Sequence, residues 1–236
     1  MLDNQSIRRL FGKDKAHFAI IEYNLRECED SIVYAETDGV LMYLKEEDMA
    51  LLYGFNKDRA KEVCEESGIK PQLVFCSSCE EREACCELFG FKNVKECWQV
   101  LYEKSADIKA PKNTEIIKMA PTKENLEFIY SRHNNGETES KIREILQGRG
   151  FYAAVTDGKI SGFISTHDEG AIGFLFVEKE FRKMGIGSYL VDYMIKKLSS
   201  EGKVAYANVI TDNEASYRMH LKMGYIPSDK KVYWCL

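Results

Sequence analysis

Arg182-Lys183-Met184-Gly185-Ile186-Gly187 is the stretch whose residue types and spacing most directly suggest chemistry. It follows the apolar run Ala171-Ile172-Gly173-Phe174-Leu175-Phe176-Val177 and opens a helical pattern from Ser188 to Leu198. A strand, a glycine turn and a helix N-terminus together form an anion site. Bare amides converge there, and the helix dipole adds positive potential. Two other phosphate-binding turns do not fit. A dinucleotide fingerprint needs a third glycine where Leu190 stands, and a P-loop needs Gly-Lys-Ser/Thr where Gly187 is followed by Ser188 and Tyr189. A plain strand-to-helix turn is the competing reading.

The elements that must position this turn are legible around it. Downstream come an apolar strand, Val204 to Ile210, then Asn213, Ser216, Met219, Met223-Gly224-Tyr225 and a closing strand, Lys231 to Trp234. Upstream, Glu115 to Met119 reads as a strand. Thr122 to His133 reads as a helix capped by Thr122, and Ser140 to Gln147 as a second helix. Phe151 to Thr156 and Lys159 to Thr166 read as strands joined by Asp157-Gly158, a strong hairpin turn.

The order Val177-x4-Arg182-x2-Gly185-x-Gly187, followed by Asn213-x2-Ser216 and Gly224-Tyr225, resembles the GNAT superfamily of acyl-CoA-dependent N-acyltransferases. The resemblance covers roughly residues 114 to 236. It implies an α/β fold with a mixed, largely antiparallel sheet flanked by helices. It also implies acetyl-CoA as acyl donor, with no metal, and an amine acceptor. By this resemblance the amides of Met184, Gly185, Ile186, Gly187 and Ser188 would hold the pyrophosphate. Arg182 would add charge or brace the loop. The backbone of Phe176 and Val177 would pair with the pantetheine arm, and amides near Val177 would polarise the thioester carbonyl. Asn213 would help hold the pantetheine, cap the following helix, or do both.

Amine acylation needs a proton taken from the amine and one returned to the departing thiolate. The family often supplies the acid as a tyrosine four residues before the glycine of its Gly-aromatic pair; here that position is His220. Histidine titrates near pH 6.5 and can serve, so His220 is the first candidate, with Tyr217 one turn earlier as the alternative. No carboxylate stands on the strand Ala171 to Val177, where the family often has its base. His167, Asp168 and Glu169 in the preceding turn are the remaining candidates.

The two halves of the chain echo each other at an offset of 134 residues: Gly39 with Gly173, Gly68 with Gly202, and Gly90 with Gly224. Leu88-Phe89-Gly90-Phe91 mirrors Lys222-Met223-Gly224-Tyr225, and Phe18 to Tyr23 matches Tyr152 to Asp157 as an early strand. The reading is two tandem GNAT-like copies: residues 1–107, a linker at 108–113 within the polar stretch Lys104 to Asn113, and residues 114–236. At the same offset the first copy has Asp48, Leu51 and Tyr53 for Arg182, Gly185 and Gly187, and Cys79 for Asn213. An aspartate repels pyrophosphate and side chains block close backbone approach, so the first copy is expected not to bind coenzyme. Its expected roles are packing against the second copy and shaping the acceptor pocket.

Composition narrows the remaining classes. A formal net charge of -5 gives no bulk attraction for nucleic acid or anionic membrane. No apolar run reaches the length of a membrane span and the first residues lack a signal-peptide core, so a cytoplasmic protein is expected. Cys76, Cys79, Cys85 and Cys86 fall within eleven residues, but adjacent Cys85 and Cys86 diverge on a helix and a second CxxC pair is missing. Reduced, mostly buried thiols are expected over zinc. The function expected is acetyl transfer to a primary amine of a small or amino-acid-like acceptor. A catalytically weak acyl-CoA-binding sensor or scaffold is the alternative. The acceptor pocket is expected from Glu124 to Gly148, which carries Arg132, His133, Glu137, Glu139 and Arg143. Acceptor identity and oligomeric state are not readable from these residues.

Overall fold

The computed structural model describes residues 1–133 and 137–236. The first half runs α1 (Asn4–Phe11), α2 (Ala19–Glu27), β1 (Ile32–Glu36), β2 (Gly39–Leu44), β3 (Met49–Tyr53), α3 (Lys57–Ser67), β4 (Leu73–Cys76), α4 (Cys79–Phe89) and β5 (Val94–Tyr102). The second runs β6 (Thr114–Lys118), α5 (Lys123–Arg132), α6 (Glu139–Gln147), β7 (Tyr152–Thr156), β8 (Lys159–Thr166), β9 (Ile172–Val177), α7 (Ile186–Ser200), β10 (Ala205–Ile210), α8 (Glu214–Lys222) and β11 (Ile226–Cys235). Apart from β6, both halves follow one order: two helices, three strands, helix, strand, helix, strand.

The repeated glycines have a shared physical cause at two of the three pairs. Gly68, Gly90, Gly202 and Gly224 all follow helices at positive φ, where a side chain is strained. The third pair is not equivalent, because Gly39 opens β2 whereas Gly173 lies in β9. The offset of 134 therefore slips before the first long helix. Asp48 lies in the turn before β3, and Leu51 and Tyr53 lie on β3 itself. None of them occupies the strand-to-helix connection, which is Gly54-Phe55-Asn56. Phe18 to Tyr23 is likewise not a strand. Ala19, Ile20, Ile21, Asn24 and Leu25 are the buried residues of helix α2, a spacing that closes one helical face only when Leu25 is counted.

The strands form two sheets. One is seven-stranded, ordered β1-β2-β3-β4-β11-β5-β10, and the other four-stranded, ordered β6-β7-β8-β9. All ladders with a described register are antiparallel except β3–β4, which is parallel. The last strands of the two halves are exchanged. β11 lies between β4 and β5, with Tyr233 opposite Cys76 and Val232 opposite Cys97, while β5 carries β10 on its far side.

The chain packs as two compact units that cut across its sequence halves. One holds Met1–Tyr102, Asp168–Gly170 and Tyr206–Leu236; the other holds Glu103–His167 and Ala171–Ala205. The first has a core of Leu41, Leu52, Phe55, Val63 and Val74, together with four buried cysteines. Those four are Cys64, Cys76, Cys85 and Cys235; Cys79 is exposed, Cys86 is half-buried, and all eight cysteines are free. The second unit packs Met119, Leu126, Ile129, Ile142, Phe151, Phe163 and Phe174 together. Each such side chain contributes about 1.5–3 kcal/mol on burial.

The Asp157-Gly158 hairpin turn forms as expected, with both residues at positive φ. The polar stretch expected to be a linker is tied down at its start. Asp192 of α7, 1% exposed, accepts from Ser105 Oγ and Ala106 N at 2.9 and 2.8 Å and from Ile108 N at 3.1 Å. Among the described residues, no helix is long and apolar enough to cross a membrane.

Candidate active site

The turn after β9 is built for close approach. Lys183 and Gly185 sit at φ 64° and 85°, a conformation that costs an L-residue about 1–2 kcal/mol. Gly185 is the N-cap of α7, which has no side-chain cap and no acidic residue in its first turn. By contrast α1, α3, α4, α5, α6 and α8 are each capped by an Asp, Asn, Ser or Thr side chain. The α7 N-terminus therefore leaves its amides to solvent or a ligand. Met184 is 53% exposed beside it, while Ile186 is buried and anchors the turn. The helix itself follows from Leu190, Val191, Met194, Ile195 and Leu198, which share its buried face.

β9 is bulged. Phe163 pairs with Phe176 and Ser165 with Gly173, so Phe174 and Leu175 stand opposite Ile164 alone. Phe174 takes φ 51°, an outlying value for a bulky residue. The His167 ring packs tilted against Phe174, centroids 4.4 Å apart, and a Cβ on Gly173 would come within 2.1 Å of the His167 ring. Glu178 N donates to Ser161 O at 2.9 Å. By ladder alternation, Phe176 then turns its backbone toward β8, and Val177 turns its N–H and C=O to the free edge. Arg182 Nε donates to the Val177 carbonyl at 3.1 Å, which makes Arg182 a brace between strand and turn.

The downstream candidates belong to the other compact unit. Asn213 is exposed and caps α8, accepting from Ser216 N at 3.1 Å. His220 is buried, 4% exposed, and burial pushes it down to about 4. Its Nδ1 shares a short hydrogen bond with the Tyr102 hydroxyl of β5. A neutral imidazole at pH 7 has no imidazolium proton to give, so its burial weighs against the acid role expected for it. Tyr217 is half-buried, between the rings of Trp98 and Tyr225 at 6.2 and 5.8 Å. Of the turn residues considered as base, Glu169 is buried, while His167 and Asp168 are half-buried. The Glu169 carbonyl accepts from Tyr206 Oη and Asn24 Nδ2.

Residues 115–225 match the model of the Acetyltransferase (GNAT) family. The C-terminal half is a GNAT domain. No curated protein sequence matches the chain. A Drosophila protein of solved structure shares 15% identity at a TM-score of 0.68, covering 100% of this chain and 97% of its own. A GCN5-related N-acetyltransferase from Kribbella flavida shares 12%, with a TM-score of 0.61 and coverage of 96% of both chains. An acetyltransferase from the GNAT family from Colwellia psychrerythraea shares 11%, with a TM-score of 0.53 and coverage of 99% and 97%. At such identities these likenesses show the fold, and they do so over both halves.

Around the GNAT motifs, some neighbours were not evident from sequence. Trp98 and Tyr102 stand four apart on one face of β5, an alternation visible in the sequence, but their partners on α8 were not. Nothing local announced the β9 bulge. In the helical segment expected to line the acceptor pocket, Arg132 pairs with Glu178, and its guanidinium lies 3.8 Å over the Phe128 ring. Arg143 pairs with Glu139 at 2.8 Å. His133 packs beside Phe174 and Phe163, and burial lowers its pKa. Residues 134–136 of that segment lie outside the described residues. No cluster of three or more His, Cys, Asp or Glu suited to a metal occurs among the described residues.

Proposed function

We propose that the protein transfers an acetyl group from acetyl-CoA to the primary amine of a small or amino-acid-like acceptor. Membership of the C-terminal half in the GNAT family implies acyl transfer from acetyl-CoA; the amine class is the finer step. The observation that carries the reading is the uncapped α7 N-terminus behind Gly185 and Gly187. Amides of Met184 to Ser188 would take the pyrophosphate, where helix partial charge and bare N–H groups act together. The outward Val177 N–H is positioned along β9 to meet an amide-bearing arm or a thioester oxygen. There a donor fixed in advance stabilises developing negative charge. Arg182 keeps Val177 and the turn in register rather than serving as a bare charge.

Tyr217 is the acid this reading favours. Its hydroxyl is only half-buried and can donate, whereas burial pushes His220 down to about 4. Proton delivery by a positioned group is worth about 10²–10⁴ in rate. Because β9 carries no carboxylate, an amine partly deprotonated at working pH would attack without a dedicated base. The first half, residues 1–107 before the 108–113 connection, serves as the structural partner of the GNAT domain at 114–236. A cytoplasmic setting suits its free thiols.

The burial of His220 and the missing strand carboxylate favour a second reading, an acyl-CoA-binding sensor with little turnover. A thiol-release assay with acetyl-CoA across a panel of amines separates the two. Amine-dependent release by the wild type, absent in Gly187→Glu, supports the transferase. Thermal stabilisation by acetyl-CoA without release by any amine supports the sensor. Neither release nor stabilisation overturns both.

A further inference from the structure

The first half contains its own version of the strand, turn and helix, and that version is closed. β3 and β4 pair in parallel over four positions, from Met49 opposite Leu73 to Leu52 opposite Cys76. The counterparts by element order, β9 and β10, belong to different sheets. After β3 the chain turns through Gly54-Phe55-Asn56 into α3, with Gly54 at φ 94°. This turn has kept its glycine, and the amides of Gly54 and Phe55 are taken from within. Phe55 N donates to Glu81 Oε1 at 2.9 Å. Ser77 N and Ser77 Oγ both donate to Glu81 Oε2, at 2.6 and 2.9 Å. Gly54 N donates to Ser77 Oγ at 3.2 Å. Asn56 caps α3 by accepting from Arg59 N at 2.9 Å.

Glu81 is 0% exposed. No cation pairs with it among its described contacts. The Tyr53, Cys64 and Cys85 side chains and the two connections just described lie around it. A carboxylate carried this deep is costly unless donors surround it. Three donors on two oxygens are the arrangement a protein uses for a bound anion. We propose that the Glu81 carboxylate is the built-in anion of the first half, filling the strand-to-helix cradle that the second half leaves open. The cradle is thus an anion site with a covalently supplied ligand, and its external equivalent is a small carboxylate such as formate. The zipped β3–β4 pair leaves no room for a coenzyme arm, so the inference concerns small anions only. It rests on the repeated order of elements and not on the transferase reading.

The test is thermal denaturation of the full chain at pH 8.5 and constant ionic strength, titrating sodium formate against chloride. The proteins compared are wild type, Glu81→Ala and Glu81→Gln. Glu81→Ala is expected to melt on the order of 10 °C lower, as orphaning several buried donors does. Formate should recover part of that loss along a saturating curve, with no effect on the wild type. Glu81→Gln, which fills the space but turns a donor toward donors, should melt below the wild type and ignore formate. If Glu81→Ala does not fold, yield on dilution from urea into formate against chloride gives the same comparison. Equal formate shifts in wild type and Glu81→Ala overturn the proposal, as does a Glu81→Gln protein as stable as the wild type. An unsaturable shift in all three is a bulk salt effect and also overturns it.

Discussion

The connections after β3 and after β9 stand at the same point in the two halves, yet they end with opposite balances of hydrogen bonds. After β3, Phe55, Ser77 and Gly54 donate inward and Glu81 closes the cradle with its own charge. After β9, the helix begins at an uncapped glycine with no acidic residue in its first turn. The strands repeat the contrast, since β3 is zipped to β4 while β9 and β10 end different sheets. One order of elements therefore supports either a sealed structural module or a ligand site. What decides between them is whether the turn's amides are satisfied internally. Donors left over at the repeated turn are available to a ligand, whereas donors matched from within contribute only stability.

The most severe way to break the contrast is to close the open turn. Gly187→Glu, putting a carboxylate at the α7 start, should weaken acetyl-CoA binding by about 100-fold or more while the fold persists. Titration calorimetry beside circular dichroism reads both. Next in size is the acid. Tyr217→Phe should lower turnover by roughly 100-fold with little change in acetyl-CoA affinity. His220→Gln should retain most turnover. Loss through His220→Gln alone would restore histidine as the acid. No loss in either would remove α8 from the chemistry.

Two buried titrating groups sharpen the comparison through pH. Burial pushes Glu81 up to about 7 from an ordinary 4.5, so the folded state binds its proton more tightly than the unfolded state. Its effect is a stability loss as pH rises from about 4.5 to 7, of about 3 kcal/mol. His220 is shifted the other way, to about 4 from 6.5. It loses a similar amount as pH falls from about 6.5 to 4. The two slopes oppose, so the wild type should be nearly flat between pH 4.5 and 6.5. Glu81→Gln should show stability rising with pH across that range, and His220→Gln stability falling. Urea melts at several pH values measure both. The smallest expected effect is at Asp192. Asp192→Ala frees the Ser105, Ala106 and Ile108 donors and should cost about 2–3 kcal/mol without altering which turn is open.

Much of the second half was legible because its signals are local. The Asp157-Gly158 turn, the Thr122 cap and the Gly185–Gly187 turn each need only a few neighbouring residues. The first half was harder because an offset of 134 assumes equal spacing. The short Gly54-Phe55-Asn56 turn breaks that register, so Asp48, Leu51 and Tyr53 were weighed at positions where they do not lie. Phe18 to Tyr23 read as a strand because the same offset laid it on Tyr152 to Asp157, yet burial of Ile20, Ile21, Asn24 and Leu25 on one face makes it a helix. At the candidate site, His220 fell at the family's acid position, but nothing in one dimension showed Tyr102 closing over it. The Asp192 clamp and the strand exchange are likewise tertiary facts. A polar stretch and a buried aspartate far apart in sequence give no sign that they meet.

The exchange of β5 and β11 has a consequence for how the chain is made. A ribosome delivers β4 and β5 long before Ile226–Cys235 emerges, yet that segment belongs between them. Until it arrives, the β4 edge and one β5 edge expose unpaired backbone, the kind of template on which nascent chains misassociate. Final closure of the large sheet therefore waits for β11 to emerge, and chaperone dependence should concentrate in that interval. A stop codon just before β11 would leave β4 and β5 without the strand that lies between them in the seven-stranded sheet.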